Sequence, residues 1–314
     1  MWFSNNQTVT RNMDFGKLTS VDQINFQLPP EPPQNAAILA SAPQIQSPTL
    51  YVGPTGYNMK AWVGKWYPVG AKEKDFLTHY AAQFSTIEFN TTHYRMPDAA
   101  SVARWRAAVP PDFRFCPKVP QSISHARDLG LTGPEPAIFA QALAGLGDAL
   151  GRSFLQLPPH FGPRDLPILA RFLEVFAPQT PLSVEVRHPD FFQHAEAGAA
   201  LFDLLTHHGA AAVITDVSGR RDVCHLRLTQ GQTLIRFVGN GLHPSDYTRI
   251  KDWAERLRLW FEQGLQTAYF FTHEPDNLLT PELAAYCIET FSKSMPGVTM
   301  RGPSPVGGQQ GTLF

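Results

Sequence analysis

The chain is short of cysteine, of charge and of long apolar runs, and each shortage removes a class of explanation. Its three cysteines, Cys116, Cys224 and Cys287, are odd in number, far apart and set among apolar or strand-like neighbours. That pattern fits reduced, buried thiols rather than a disulfide framework or a cysteine metal cluster. Only 17% of the 314 residues are charged, with 26 basic against 27 acidic side chains and a net charge of −1. A balance so close to zero gives no global pull toward nucleic acid or a membrane surface. No apolar run approaches the roughly 18 residues that a bilayer-spanning helix needs. The start "MWFSNNQTVTRNMDF" has no basic stretch followed by an apolar one, so it does not read as a signal peptide. The expectation is a cytoplasmic protein with no membrane partner.

What the chain does have is 43% apolar residues laid out in two alternating periods. Strand-like runs stand at 49–56, 86–90, 113–119, 153–159, 182–188, 211–218, 233–239 and 267–273. Helical spacing fills 73–84, 98–109, 135–150, 165–176, 196–209, 246–264 and 281–295. After the sixth strand the stretch is irregular. Strands that alternate with helices argue for parallel βα units, and eight units over about 245 residues match a (β/α)₈ barrel of the TIM type. A doubly wound open sheet is the alternative, but no G-x-G-x-x-G follows the first strand. Residues 1–48, with "QLPPEPPQN" and "SAPQIQSP", are expected to be a disordered Pro/Asn/Gln-rich tail that docks at most a short piece such as Ile24–Leu28. The barrel takes 49–295, and 296–314 reads as a flexible tail.

Barrel chemistry sits at the C-terminal mouth, so the strand ends carry the functional expectation. In order they offer Glu88 and Asn90, Lys118, Gln156, Glu185 with Arg187, Asp216, Arg236, and His273. A purely structural barrel interior would be Val, Ile and Leu. This one carries three carboxylates and three cations. A self-satisfying ion-pair network is the bland alternative, but such networks are costly to bury. Glu88, Lys118, Glu185 and Asp216 are therefore the candidate catalytic residues, and Asn90, Gln156, Arg187, Arg236 and His273 the candidate ligand contacts.

The blocks "YVGPTGYNMKAWVGKWYP" (51–68), "FSTIEFNTTHYRMP" (84–97), "FRFCPKVPQSISH" (113–125), "SFLQLPPHF" (153–161), "LSVEVRHPDFF" (182–192), "VITDVSGRRD" (213–222) and "LIRFVGNGLH" (234–243) resemble, in order, those of the YecE-like family, the seventy-second domain-of-unknown-function family. The resemblance spans about residues 49–295. It implies a TIM-barrel-like fold and a set of motif residues, but no reaction, since none is established for the family. Its motifs carry over Glu88, Asn90, Tyr94, Lys118, His125, Gln156, Glu185, Arg187, Asp216 and Arg236, which adds Tyr94 and His125 to the ligand contacts. Where many members end the eighth strand with two asparagines, this chain has Thr272 and His273.

The arginine forks and Lys118 suit a phosphorylated or carboxylated small molecule, with a glutamate as general base. A desolvated lysine beside cations can also attack a carbonyl, although an ion pair of Lys118 with Glu88 is the plainer reading. Glu88, Glu185, Asp216, His125 and His273 are metal-ligating types, yet there is no H-E-x-x-H and the cations oppose a divalent ion. No metal and no cofactor is expected, and a metal-dependent hydrolase or isomerase stays an alternative. Arg220 and Arg221 read as a solvated turn or a phosphate clamp. A non-catalytic ligand-binding protein is a further alternative. So is a nucleic-acid-associated factor, because "QGTLF" ends the chain. Gln310, Leu313 and Phe314 in that spacing resemble the linear motif by which bacterial replication and repair proteins bind the sliding clamp.

Overall fold

In the computed structural model, which describes residues 16–303, the period-two runs form eight strands. They are β1 Thr49–Pro54, β2 Thr86–Phe89, β3 Arg114–Pro117, β4 Ser153–Gln156, β5 Leu182–Glu185, β6 Ala211–Asp216, β7 Gln232–Val238 and β8 Thr267–His273. Six pair in the parallel order β1-β8-β7-β6-β5-β4, and β2 pairs with β3. β3 reaches β4 through the parallel bridges Phe115↔Leu150 and Lys118↔Phe154. Between β1 and β2 no ladder forms among the described residues. There the Tyr80 hydroxyl spans the seam, 3.0 Å from the Pro54 carbonyl and 2.8 Å from that of Thr86. Gly53 lets the strands close in, since a Cβ at that position would lie 2.1 Å from the Thr86 oxygen. The expected α/β class holds, with strands in barrel order and one seam unzipped.

Helices follow the strands as the 3.6-residue spacing predicts: Phe76–Gln83, Ala99–Ala107, Glu135–Ala144, Leu166–Phe176, Ala195–His207, Pro244–Glu262 and Thr280–Ser294. Asp98 caps the second of these, its side chain accepting from the Ser101 amide. The main core lies between sheet and helices, around Phe89, Phe115, Phe172, Trp253 and Phe270. A smaller cluster of Cys116, Phe154, Val213, Leu234, Tyr269 and Phe271 fills the space enclosed by the strands. All three cysteines are free and buried. No described helix is long and apolar enough to cross a membrane.

The expectation of a disordered tail over 1–48 fails for residues 16–48. After β6 only the short turn Arg221–Val223 stands where a helix would be. The N-terminal segment fills that place as a strap running from the strand C-termini to the base. Gly16 accepts from the Gly219 amide at the mouth. Phe26, inside the segment expected to dock, lies 4.8 Å from the Arg249 guanidinium and 5.3 Å from that of Arg221. Glu31 accepts from the Trp260 indole at 3.0 Å and pairs with Arg256. Asn35 opens the helix Asn35–Ser41, fully buried. It donates to the Leu226 carbonyl (2.9 Å) and accepts from the Leu228 amide (2.8 Å). A few buried polar anchors thus order a segment that its low apolar content alone would leave loose. The C-terminal tail is docked as far as it is described. Thr299 bridges to β1 at Thr49, and Arg301 donates to the carbonyls of Ala81 and Phe84 at 3.0 Å and pairs with Asp112. Gln310, Leu313 and Phe314 lie outside the described residues.

Asn35→Ala leaves the Leu226 carbonyl and the Leu228 amide buried without partners, at a cost of about 2–4 kcal/mol. Urea unfolding is the measurement. A change within experimental error would mean that the strap contributes nothing to stability.

Candidate functional site

Arg236 is the hub of the strand ends. Along β7, Leu234 and Arg236 share the inward parity. The Arg236 guanidinium meets both glutamates. Nε and Nη2 lie 2.9 and 3.1 Å from the Glu88 oxygens, and Nη1 lies 3.2 and 3.0 Å from those of Glu185. Glu88 also accepts from Asn90 Nδ2 (3.1 Å) and from His273 Nε2 (3.0 Å). A carboxylate only accepts, so His273 carries its proton on Nε2. Glu185 accepts from Arg187 Nε (3.0 Å) and Gln156 Nε2 (2.8 Å). Burial opposes the Glu185 charge, but Arg236 and then Arg187 outweigh it and bring its pKa down to about 2. For Glu88, burial is likewise overcome by Arg236 and His273, leaving it well below the usual carboxylate range. Carboxylates this stabilised are poor general bases. They orient their partners and fix the charge of the site.

Lys118 sits apart from this saturated cluster. Pro117 and Pro120 hold the chain extended on either side of it, and Thr92 Oγ1 bonds its carbonyl at 2.7 Å. Its Nζ donates to Gln156 Oε1 at 2.8 Å, and Gln156 passes its own amide hydrogen to Glu185. The expected ion pair with Glu88 is not formed. Burial, then the charge of Arg236, pulls the Lys118 pKa down to about 8. Beside it are histidines that strand parity did not single out. His93, in the short helix Thr91–Tyr94, is buried. Its Nδ1 lies 3.0 Å from the Val119 carbonyl and must donate there, which leaves the lone pair on Nε2. Burial and then Lys118 lower the His93 pKa to about 4. His125 lies with its ring 5.8 Å from that of His93. Its pKa is lowered by burial, then by Lys118, His160 and Arg187. The resemblance supplied His125, whereas His93 was visible only as the neighbour of Tyr94 in "TTHYRMP".

Two expected site residues are elsewhere. Tyr94 is 79% exposed and turned to solvent, because a helical turn and not a strand sets the side-chain direction there. Asp216 faces the helical layer. In β6, Val213 belongs to the interior cluster and Thr215 pairs in register with Arg236, so parity sends Asp216 outward. It accepts from Trp253 Nε1 (2.8 Å) and pairs with Arg249 (2.9 Å) and Arg221. Arg220 bonds Asp222 and the Arg187 carbonyl. Neither arginine of "SGRRD" is thus in a simple solvated turn. Among the described residues no three His, Cys, Asp or Glu converge as a metal-holding group.

Lys118 is depressed from 10.5 to about 8 by the fold. Its protonated form is therefore a cost to the folded state below pH 8, and that cost fades between pH 8 and 10.5 as the unfolded chain also loses its proton. Lys118→Met should raise stability at pH 7 by about 1–3 kcal/mol, with the gain shrinking by pH 9.5. Denaturant unfolding at the two pH values checks this. A destabilised variant would show that the lysine is a structural partner.

The profile described as "Protein of unknown function DUF72" matches residues 51–307. The chain is 34% identical over 268 residues to UPF0759 protein YecE of Escherichia coli K12, covering 80% of this chain and 96% of that one. The same figures hold for the protein of that name from E. coli O157:H7. Among solved structures, a DUF72 family protein of Enterococcus faecalis V583 superposes with a TM-score of 0.62 at 18% identity, covering 79% of this chain and 99% of its own. One from Thermotoga maritima MSB8 does so with a TM-score of 0.55 at 22% identity, over 79% and 99%. These structures share the fold; the family profile and the YecE sequence carry the kinship. With its strand-end motif residues gathered in this way, the chain belongs to the DUF72 family, proteins of unknown function.

Proposed function

We propose that the C-terminal strand ends bind a small anionic molecule, phosphorylated or carboxylated, and perform acid/base chemistry on it. The observation that carries this reading is an asymmetry of pairing. Glu88 and Glu185 are saturated by Arg236, Arg187, His273, Asn90 and Gln156, while Lys118 meets only the neutral amide of Gln156. Among the described residues Arg187 and Arg236 pair with Glu185 and Glu88, whereas Lys118 touches no carboxylate. Burial keeps His93, His125 and His273 toward their neutral forms. The Lys118 amine thus sits in a poorly hydrated place with no carboxylate in contact, which is an electrostatic fit for one phosphate or carboxylate. Lys118 and the Arg187 edge then contact the anion, with Asn90 and His125 as neutral partners. Lys118, with its pKa of about 8, is the group able to move a proton near neutral pH, while His93 stays neutral beside it.

Inorganic phosphate and small carboxylates should raise the melting point of the wild-type protein, because they bind only the folded state. Arg187→Ala should abolish that shift, and it should also destabilise the unliganded protein by removing a partner of buried Glu185. Asp216→Ala should destabilise strongly, since it removes one of the two buried carboxylates paired with fully buried Arg249 and the acceptor of the Trp253 indole, yet keep the phosphate shift. A shift that survives Arg187→Ala, or one lost only with Asp216→Ala, would refute the site.

A second reading places the protein near nucleic acid by way of residues 310–314. It is favoured by where the chain is pinned: Arg301 holds it beside the Phe84 and Asp112 ends of the strands, opposite the mouth. A partner that took hold of the following residues would leave the mouth open. A peptide of residues 300–314 should bind purified bacterial sliding clamp with micromolar-order affinity, about −8 kcal/mol. Alanine at Leu313 and Phe314 should remove that binding without moving the melting point of the full chain. No binding by the unaltered peptide would end this reading.

A further inference from the structure

We propose that Lys118 is a carbonyl-reactive amine, whose Nζ condenses with the aldehyde or ketone group of a small anionic substrate at the strand ends. This rests on the anion-site reading above and names its substrate class. The argument begins with what a structural lysine looks like in this chain. Lys60, Lys65 and Lys293 each meet a carboxylate. Lys118, only 9% exposed, does not. Glu185 is reached through Gln156, whose carbonyl oxygen faces the amine and whose NH₂ faces Glu185. An amide in that position accepts a hydrogen bond but cannot take the proton or supply a neutralising charge. It holds the amine in place and insulates it. The Phe154 ring, 5.9 Å from Nζ, adds an apolar wall, and Arg236 adds a like charge. Burial and the Arg236 charge favour the neutral amine, which is the nucleophilic form, and outweigh the opposing pull of Glu88 and Glu185.

The surroundings also suit the later steps. The nitrogen lone pair of neutral Lys118 forms the C–N bond as the C=O π bond breaks, the nitrogen loses one proton and the oxygen takes one up, giving a neutral carbinolamine. Loss of the second N–H proton and cleavage of the C–O bond then release water and leave the imine. No oxidant or reductant is needed. His93, anchored through Nδ1 to the Val119 carbonyl next to Lys118, is held neutral with the lone pair on Nε2, and no described residue donates to it. Arg187 holds the substrate's anionic group, as in the reading above.

The test uses the full chain, with glyoxylate and dihydroxyacetone phosphate as anionic carbonyl probes and cyanoborohydride at pH 7 to trap imines, followed by peptide mass mapping. A lysine of pKa about 8 is roughly 10% neutral at that pH, against less than about 0.1% for an ordinary lysine. Lys118 should therefore label at least about 10-fold faster than exposed Lys72, Lys74 and Lys251. Lys118→Arg should remove that adduct, and excess inorganic phosphate should suppress it. Labelling spread over the exposed lysines with Lys118 unmodified, while phosphate still raises the melting point, overturns the carbonyl chemistry and leaves the anion site standing. If phosphate produces no shift and Lys118 no adduct, both fall.

Discussion

The strand ends depend on one guanidinium. Arg236 reaches from β7 to Glu88 on β2 and Glu185 on β5, joining three strands that are not neighbours in the sheet. Burying such a triad is expensive, and apolar side chains of similar volume would hold the strands as well or better. Stability alone therefore does not account for it. What the triad provides is a rigid, charged floor whose geometry is fixed by four hydrogen bonds to one planar group. Every group above that floor inherits its position. Gln156 and Arg187 are aligned by Glu185, and His273 and Asn90 by Glu88. Removing either glutamate would leave a buried cation underneath and release the side chains it orients.

A second buried network does the corresponding work on the outer face of the sheet. Asp216, Arg249, Trp253 and Arg221 lock β6 to the helix Pro244–Glu262, and Phe26 of the strap lies over the two guanidinium groups. This is where the regular βα pattern lapses, because no long helix follows β6. The missing layer is supplied from the other end of the chain, which is tied to the coil after β6 at Asn35 and to the helix Pro244–Glu262 at Glu31. The two networks are separated by one residue of register in β6. Thr215 faces Arg236 and Asp216 faces Arg249.

That single step of parity explains most of what the sequence did and did not disclose. Period-two reading brings Glu88 and Glu185 to the inner face because apolar and polar residues alternate in β2 and β5, and Arg236 stands out as the one charge in the otherwise apolar run "LIRFV". In "AAVITD" every residue but the last two is apolar, so the alternation is silent and the terminal aspartate is easily assigned to the wrong face. Tyr94 comes only with the family resemblance; the strand has already ended there, and a helical turn brings its neighbour His93 inward instead. The strap was the hardest part to read. Its order comes from isolated long-range contacts, such as Glu31 to Trp260 and Asn35 to Leu226, which leave no periodic trace.

The low content of charged residues finally bears on the site itself. In a chain rich in carboxylates a buried lysine readily finds one, and the pair then fixes its proton. Here carboxylates are few, and the two nearest are fully taken by Arg236 and Arg187. Lys118 is left with an amide, although it stands directly over a network containing two glutamates. The arrangement separates two electrostatic duties within a few residues. Glutamates held ionised supply fixed charge, while a lysine brought down to about 8 stays able to exchange its proton beside a histidine held neutral. A structural ion-pair network would have no reason to keep those duties apart, since its energy is lowest when every cation has its own carboxylate.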